Sequence, residues 1–298
     1  MFISLQTRVN RLFEEQLQEW QLAQTNFNNL AHVRTKCFAF DGFEVFVQYN
    51  PARLTSSAAK TDAQTIAQRR CFLCGANRPP EQRSIETGDY VVLLNPYPIF
   101  PHHFTIPRIE HVEQRILPWF FDMLRLAKQL PELVIFYNGA RCGASAPDHM
   151  HFQAGNREFL PIVADSARLK DAGRPIAWGE DYNMYLLNNY LRTAFCIEAV
   201  TVEAAQKAFL MLYNEWNIAG TDETMMNIIC FHDTLWRIIL LPRAKFRPRQ
   251  YTAEGDGQLL ISPGTVEMGG VFVTPVESHF ERITKDDIVD IYSQITLK

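Results

Sequence analysis

The sequence predicts an α+β protein, mainly antiparallel sheet with helices packed outside, built from two halves with a similar order of elements. Three observations carry that expectation. Short runs rich in Val, Ile, Phe and Tyr are separated by longer stretches of helical periodicity. The order of strands, crossing helix and closing hairpin occurs twice, with no short-period repeat and no low-complexity segment. The 298 residues, 47% hydrophobic and 12% aromatic, are enough to bury about 75% of the unfolded surface without disulfides.

The elements follow in order. Residues 8–30 place Val9, Leu12, Phe13, Leu17, Trp20, Leu22, Phe27 and Leu30 at helical spacing, which predicts one N-terminal helix. Asp41-Gly42 lies between two aromatic and β-branched runs and predicts a hairpin. The small, polar stretch 52–70 reads as a surface loop. Strands are expected at Tyr90–Leu94, ended by Asn95-Pro96-Tyr97-Pro98, and at His103–Ile106. A helix spans Trp119–Leu130 between two prolines, a short strand covers Leu133–Tyr137, and a Gly-rich loop leads into a strand over His149–Gln153. In the second half, Arg192–Ala199 is strand-like, Val202–Trp216 helical, and Asn227–Phe231 with Leu235–Leu241 a hairpin. A closing helix is expected over Glu277–Ile295. These elements divide the chain into a helical segment 1–35, a first half 36–175 and a second half 176–298.

Composition excludes several functions. With 29 basic against 33 acidic residues and a net charge of -4, there is no basic excess to neutralise a nucleic-acid backbone. No run approaches 18 apolar residues and the N-terminus lacks a signal-peptide core, so a cytoplasmic protein with no membrane partner is expected. Six cysteines are too few for a disulfide scaffold. Cys37, Cys142, Cys196 and Cys230 lie in or near apolar runs or the Gly-rich loop and read as packed thiols.

Two motifs carry chemistry. Asp148-His149-Met150-His151-Phe152-Gln153 on a strand puts His149, His151 and Gln153 on one face and the apolar pair on the other. The preceding Asn138–Ser145 segment, with Gly143, supplies backbone N–H groups and a hydroxyl for an anion. Cys71-Phe-Leu-Cys74 offers two thiolates to one tetrahedral ion, and zinc needs two further ligands from His102, His103, His111 or His149. His232 reads as a surface residue. The basic run Arg243–Arg249 reads either as a phosphate-tail contact or as a solvated strand end.

The blocks CFLCGANRP, LLNPYPIFPHHFTIPRIEHV and NGARCGASAPDHMHFQ resemble the histidine-triad superfamily. Within it they most resemble the branch of galactose-1-phosphate uridylyltransferases, dinucleoside polyphosphate phosphorylases and GDP-sugar phosphorylases. MNIICFHDTLWRIILLPR and ISPGTVEMGGVFVTP resemble the C-terminal half of the phosphorylases. Together these blocks cover about Asn50 to Pro275; the first 35 residues match no family motif.

The resemblance implies duplicated histidine-triad-like halves and a nucleotidyltransferase or phosphorylase working through a nucleotidyl-histidine. His151 would be the nucleophile, and Gln153 and Ser145 would contact the phosphoryl group. Arg53 and Asn138 would hold phosphate and Asn95 the nucleoside; apart from the resemblance, the Gly-rich loop at Gly143 offers N–H groups to an anion, and His102 or His103, at a strand start, is a candidate to point toward the phosphates. A structural zinc would be held by Cys71, Cys74, His149 and His111, with His103 and His102 as rivals for the last place. Partners would be a nucleotide or nucleotide sugar together with phosphate or a sugar phosphate, and a homodimer is compatible. A nucleotide hydrolase and a non-catalytic zinc-stabilised nucleotide-binding protein remain as alternatives. Ser145 stands four residues before His149, where three is usual. Asp148 either orients an imidazole or faces solvent.

Overall fold

Within residues 3–54, 63–216 and 223–297, which the computed structural model describes, nearly every expected element is present. Part of the loop expected over 52–70, residues 55–62, lies outside this range. The expected N-terminal helix is two: α1 (Leu5–Glu19) and α2 (Gln21–Leu30). Trp20 breaks them with an extended backbone, φ -116 and ψ 97. The C-terminal helix is likewise split into Glu277–Arg282 and Lys285–Ile295. Thr284 starts the second piece, its hydroxyl accepting from the N–H of Asp287 while the Asp287 carboxylate answers the Thr284 N–H.

The strands are β1 (Arg34–Ala39), β2 (Glu44–Tyr49), β3 (Ser84–Thr87), β4 (Tyr90–Leu94), β5 (His103–Pro107), β6 (Leu133–Asn138) and β7 (His151–Asn156) in the first part. β8 (Arg174–Trp178), β9 (Tyr182–Leu186), β10 (Phe195–Ala199), β11 (Met226–His232), β12 (Trp236–Pro242) and β13 (Val271–Thr274) follow. Gly42, at φ 81, closes the β1–β2 hairpin. Cys37 is exposed rather than packed, because β1 pairs on one side only and lies at the rim of its small sheet.

Duplication is visible in the sheet order, β3-β4-β5-β7-β6-β11-β12-β10-β9-β8. Counted from either edge, each half runs first, second, third, fifth, fourth, and the two fourth strands, β6 and β11, pair antiparallel at the centre. Each half inserts a helix between its third and fourth strands: Phe120–Gln129 and Val202–Trp216. The Phe120 and Phe209 rings of these helices stack at 3.8 Å, so the two halves share one core.

One face of the ten-stranded sheet packs on these helices and on α1–α2, through Leu94, Phe104, Phe152, Ile135 and Ile228. The other face meets β1–β2–β13 and the C-terminal helices through Val134, Phe136, Ile229, Ile239 and Leu241. The first half keeps part of this second face polar. Leu93, Thr105, Gln153 and Phe136 stand side by side on β4, β5, β7 and β6. In the second half Ile239 stands in the same row as Gln153 and, with Leu241, is packed in the apolar core.

Candidate active site

A cavity of about 450 Å³ opens on that polar row. Arg53, Asn95, Asn138, Gly143, Ser145, His151 and Gln153 all line it. His103 does not line it but sits directly behind Gln153. His102 is elsewhere, its ring 4.2 Å from that of Phe13.

Three side chains at the cavity floor each have one end committed to the protein. His151, 3% exposed, places Nδ1 2.8 Å from the carbonyl oxygen of His149. A carbonyl only accepts, so Nδ1 carries the hydrogen and Nε2 keeps its lone pair toward the cavity. Gln153 places Oε1 3.0 Å from Nε2 of His103. The His103 Nδ1 accepts from the N–H of Ile99 at 3.1 Å, so its Nε2–H donates to Oε1 and the Gln153 NH2 is left as the cavity-facing end. Asn138 Oδ1 accepts from Asn227 Nδ2 and from both the N–H and hydroxyl of Thr265, at 2.8–3.0 Å. Its NH2 is likewise left to donate. One nucleophilic nitrogen thus faces the same cavity as two amide donors fixed before any ligand arrives.

Burial tunes the charges in the same direction. Loss of solvent holds the imidazole of His151 down to about 4 and that of His103 to about 3. Both are neutral near pH 7. Burial brings Arg53 down to about 10, against the opposing pull of Glu267. Arg53 remains a cation, its Nη1 donating to the carbonyl of Tyr97 at 2.6 Å. Burial pushes Cys142 up to about 11, leaving an inert thiol in the loop.

Sequence reading missed Gln114. It is 1% exposed, accepts from the N–H of His151 at 2.8 Å, and donates to the carbonyls of His151 and Asn138 at 3.0 and 2.9 Å. One amide therefore bridges the end of β6 and the start of β7. Gln114→Leu leaves those backbone groups unpaired and is expected to cost roughly 2–4 kcal/mol. Chemical denaturation measures that loss; an unchanged midpoint contradicts the clamp.

Also missed were Ser262, Thr265 and Glu267 of the ISPGTVEMGG block, which line the cavity. This segment docks where Gly143 takes φ +98, and a Cβ on Gly143 would lie 2.7 Å from the Cα of Gly264. Two glycines are needed because two backbones touch there. Arg243 in the basic run is buried, donating to Asn227, Pro263 and Ile295. It supports Asn138 through Asn227 and is neither a solvated strand end nor open to a ligand.

A second cluster adjoins the first. Ligand atoms of Cys71, Cys74, His111 and His149 all lie within 4.8 Å of one another. Cys71 Sγ is 3.2 Å from His149 Nδ1, and Cys74 Sγ is 3.2 Å from His111 Nδ1 and 3.6 Å from His149 Nδ1. Tetrahedral zinc with ordinary bond lengths needs S and N atoms about 3.5 Å apart, so this donor set fits a structural metal. The far nitrogen of His149 lies 2.8 Å from the carbonyl of Arg108, and that of His111 lies 3.7 Å from Asp148. Asp148 also pairs with Arg69 at 2.7 Å. Its hydrogen-bond partner is Arg69, and at 3.7 Å it stands beyond hydrogen-bond distance of the His111 ring. His103, bonded to Gln153, is not part of the cluster.

The fold is α+β with a ten-stranded sheet, and its cavity brings His151, Gln153 and Asn138 together. A family model described as a domain of unknown function (DUF4922) matches residues 12–156. A search of curated proteins finds no match. Among solved structures the chain is similar to yeast Ap4A phosphorylase Apa2, with 14% identity and a TM-score of 0.67, covering 100% of this chain and 99% of that one. It is also similar to the same yeast enzyme in complex with AMP, with 15% identity, a TM-score of 0.61 and 94% of each chain covered. Identity this low establishes the shared fold. No helix among the described residues is long and apolar enough to cross a membrane.

Proposed function

We propose that the protein is a nucleotidyl-transferring phosphorylase acting on dinucleoside polyphosphates or nucleoside-diphosphate sugars through a nucleotidyl-histidine. The observation that carries this reading is the lone pair of His151 Nε2 opposite two amide donors whose other ends are already committed. Attack of Nε2 on the α-phosphorus forms a P–N bond and breaks the P–O bond to the departing phosphate chain. Oxygen of inorganic phosphate or a sugar phosphate then attacks phosphorus, the P–N bond breaks, and His151 returns to its starting form. The Gln153 and Asn138 amides, loop N–H groups at Gly143, the Ser145 hydroxyl and Arg53 meet the charge on the phosphoryl oxygens. Gln153 is neutral and is no acid for a poor leaving group, which favours transfer between phosphates over hydrolysis. The yeast enzyme of the same fold, a phosphorylase solved with AMP, supports a nucleotide substrate.

Cys71, Cys74, His111 and His149 would hold a structural zinc, which would tie the CxxC turn to the segment leading into β7. The carbonyl of His149 is the group that orients His151, so holding His149 in place holds the nucleophile's tautomer.

Turnover of diadenosine tetraphosphate and of nucleotide sugars, each with and without inorganic phosphate, tests the reading. Products are expected only when phosphate is present, as a nucleoside diphosphate plus the displaced phosphate-bearing fragment. Release of nucleoside monophosphate at the same rate without phosphate points instead to a hydrolase.

The pH dependence has a definite sign. With its pKa held down to about 4, His151 is neutral and competent at pH 5, where an ordinary histidine is mostly protonated. The rate of adduct formation is expected to stay flat from pH 8 to about 5. A half-maximum near 6.5 contradicts burial of the nucleophile. The folded state binds fewer protons at this site than the unfolded chain between about 6.5 and 4, so its contribution to stability falls as pH falls through that window.

A further inference from the structure

We propose that the N-terminal helical hairpin is part of the substrate site, with Trp20 at its elbow forming the wall against which the substrate's nucleobase packs. This rests on the reading of the cavity as a nucleotide site and adds a specificity-determining residue to it. The segment matched no motif in the sequence, yet Trp20 and Leu22 both line the cavity that contains His151.

The cavity has a chemical gradient. Its phosphate end holds His151, Gln153 and Asn138. Leu93 lies in the same row as Gln153 but two strands away, since Leu93 pairs with Thr105 and Thr105 with Gln153. Two strand spacings are about 10 Å, the reach from an α-phosphorus across ribose to a base. The apolar lining includes Leu93, Trp20, Leu22 and Pro79, and beside them Gln82 donates to the carbonyl of Leu94 at 2.9 Å.

The hairpin is fastened to the walls of that apolar end. Gln16, fully buried, donates to the carbonyl of Glu81 at 2.9 Å and accepts from the N–H of Arg83 at 2.9 Å. It therefore brackets Gln82. Trp20 lies four residues on, over the same helix face, and its N–H donates to the carbonyl of Gln16 at 3.0 Å. On the far side of the elbow, Asn26 donates to the carbonyl of Pro96 at 2.7 Å, and Pro96 also lines the cavity. The break at Trp20, which costs the hairpin a continuous helix, is what lets an indole reach the cavity between these two anchors. An aromatic wall with an apolar floor suits the π-face of a base, and stacking of this kind distinguishes a nucleotide from a bare sugar phosphate.

The test compares binding of AMP and of ribose 5-phosphate by calorimetry in the full-length protein, wild type and variants. The wild type is expected to prefer AMP by about 10- to 100-fold, the range for stacking of one base. Trp20→Ala should remove most of that preference while leaving ribose 5-phosphate affinity unchanged; Trp20→Phe should keep AMP within about threefold. Trp20 also packs with Val9, Ala23 and Phe27 in the core, so Leu22→Glu, at an exposed lining position, is a second variant that leaves that packing intact, and it should also weaken AMP selectively. A Trp20→Ala protein that keeps the full preference overturns the proposal, as does one that loses both ligands by the same factor. A wild type that binds the two ligands equally removes the base wall but leaves the phosphate site standing. A wild type that binds neither overturns the nucleotide reading, and the wall with it.

Discussion

His151→Ala is expected to lower nucleotidyl transfer by at least about 10⁴-fold, since removal of a covalent nucleophile leaves only binding and oxyanion stabilisation. The loss should be one of chemistry rather than folding. Met150 and Phe152, each 0% exposed, carry the packing of the strand, and the backbone of His151 stays clamped by Gln114. Thermal melting should therefore move little. His151→Gly opens a hole the size of an imidazole, and added imidazole with an activated nucleotide is expected to restore part of the rate. A variant with near wild-type turnover contradicts the covalent route.

The second large effect concerns the metal cluster. Among the described residues, the CxxC turn has a small apolar cluster, Cys71 and Leu73 with Ala146, and side-chain hydrogen bonds from Asn77 and Arg78 to the carbonyls of Cys71 and Leu73. Zinc–ligand energy in small structural sites is on the order of 10 kcal/mol, so its loss should dominate that region. Cys71→Ser is expected to fall from about one metal per chain to nearly none, with a melting drop of roughly 10 °C. Catalysis should fall with it, because His149 carries the carbonyl that orients His151. His111→Ala should lose metal as well, whereas His103→Ala should keep it and lose activity through Gln153. Stoichiometric zinc in Cys71→Ser/Cys74→Ser shows that another set of residues binds it.

Much of this was legible in the sequence because the signals are local. Alternation of His151 and Gln153, the Asp-Gly hairpin and the periodicity of Val202–Trp216 each depend on residues close in the chain, whereas His149, expected on the same strand face, lies before β7 and joins the Cys71–Cys74 cluster. The breaks at Trp20 and Ile283-Thr284 were not legible by periodicity alone, since both helices continue with nearly the same apolar phase. Gln114 was invisible for a different reason. Its partners, Asn138 and His151, come together only through sheet pairing, and a glutamine in a polar stretch looks like surface. Thr265 and Asn227 are similar: each acts on Asn138 across a strand or loop contact. The Ser262–Gly270 block carried a signal in its glycines, but what they approach is a loop more than a hundred residues earlier. Tautomers and amide orientation, which make the site a nucleophile with two donors, follow from hydrogen-bond partners and have no sequence signature.

The most direct measurement is intact mass of the protein mixed with diadenosine tetraphosphate or a nucleotide sugar in the absence of any phosphate acceptor. The chain is expected to gain the mass of one nucleoside monophosphate, in an acid-labile linkage that maps to the peptide containing His151 and disappears on addition of inorganic phosphate. Turnover of the same substrate with no such adduct at any time point, or an adduct that persists in His151→Ala, contradicts the account.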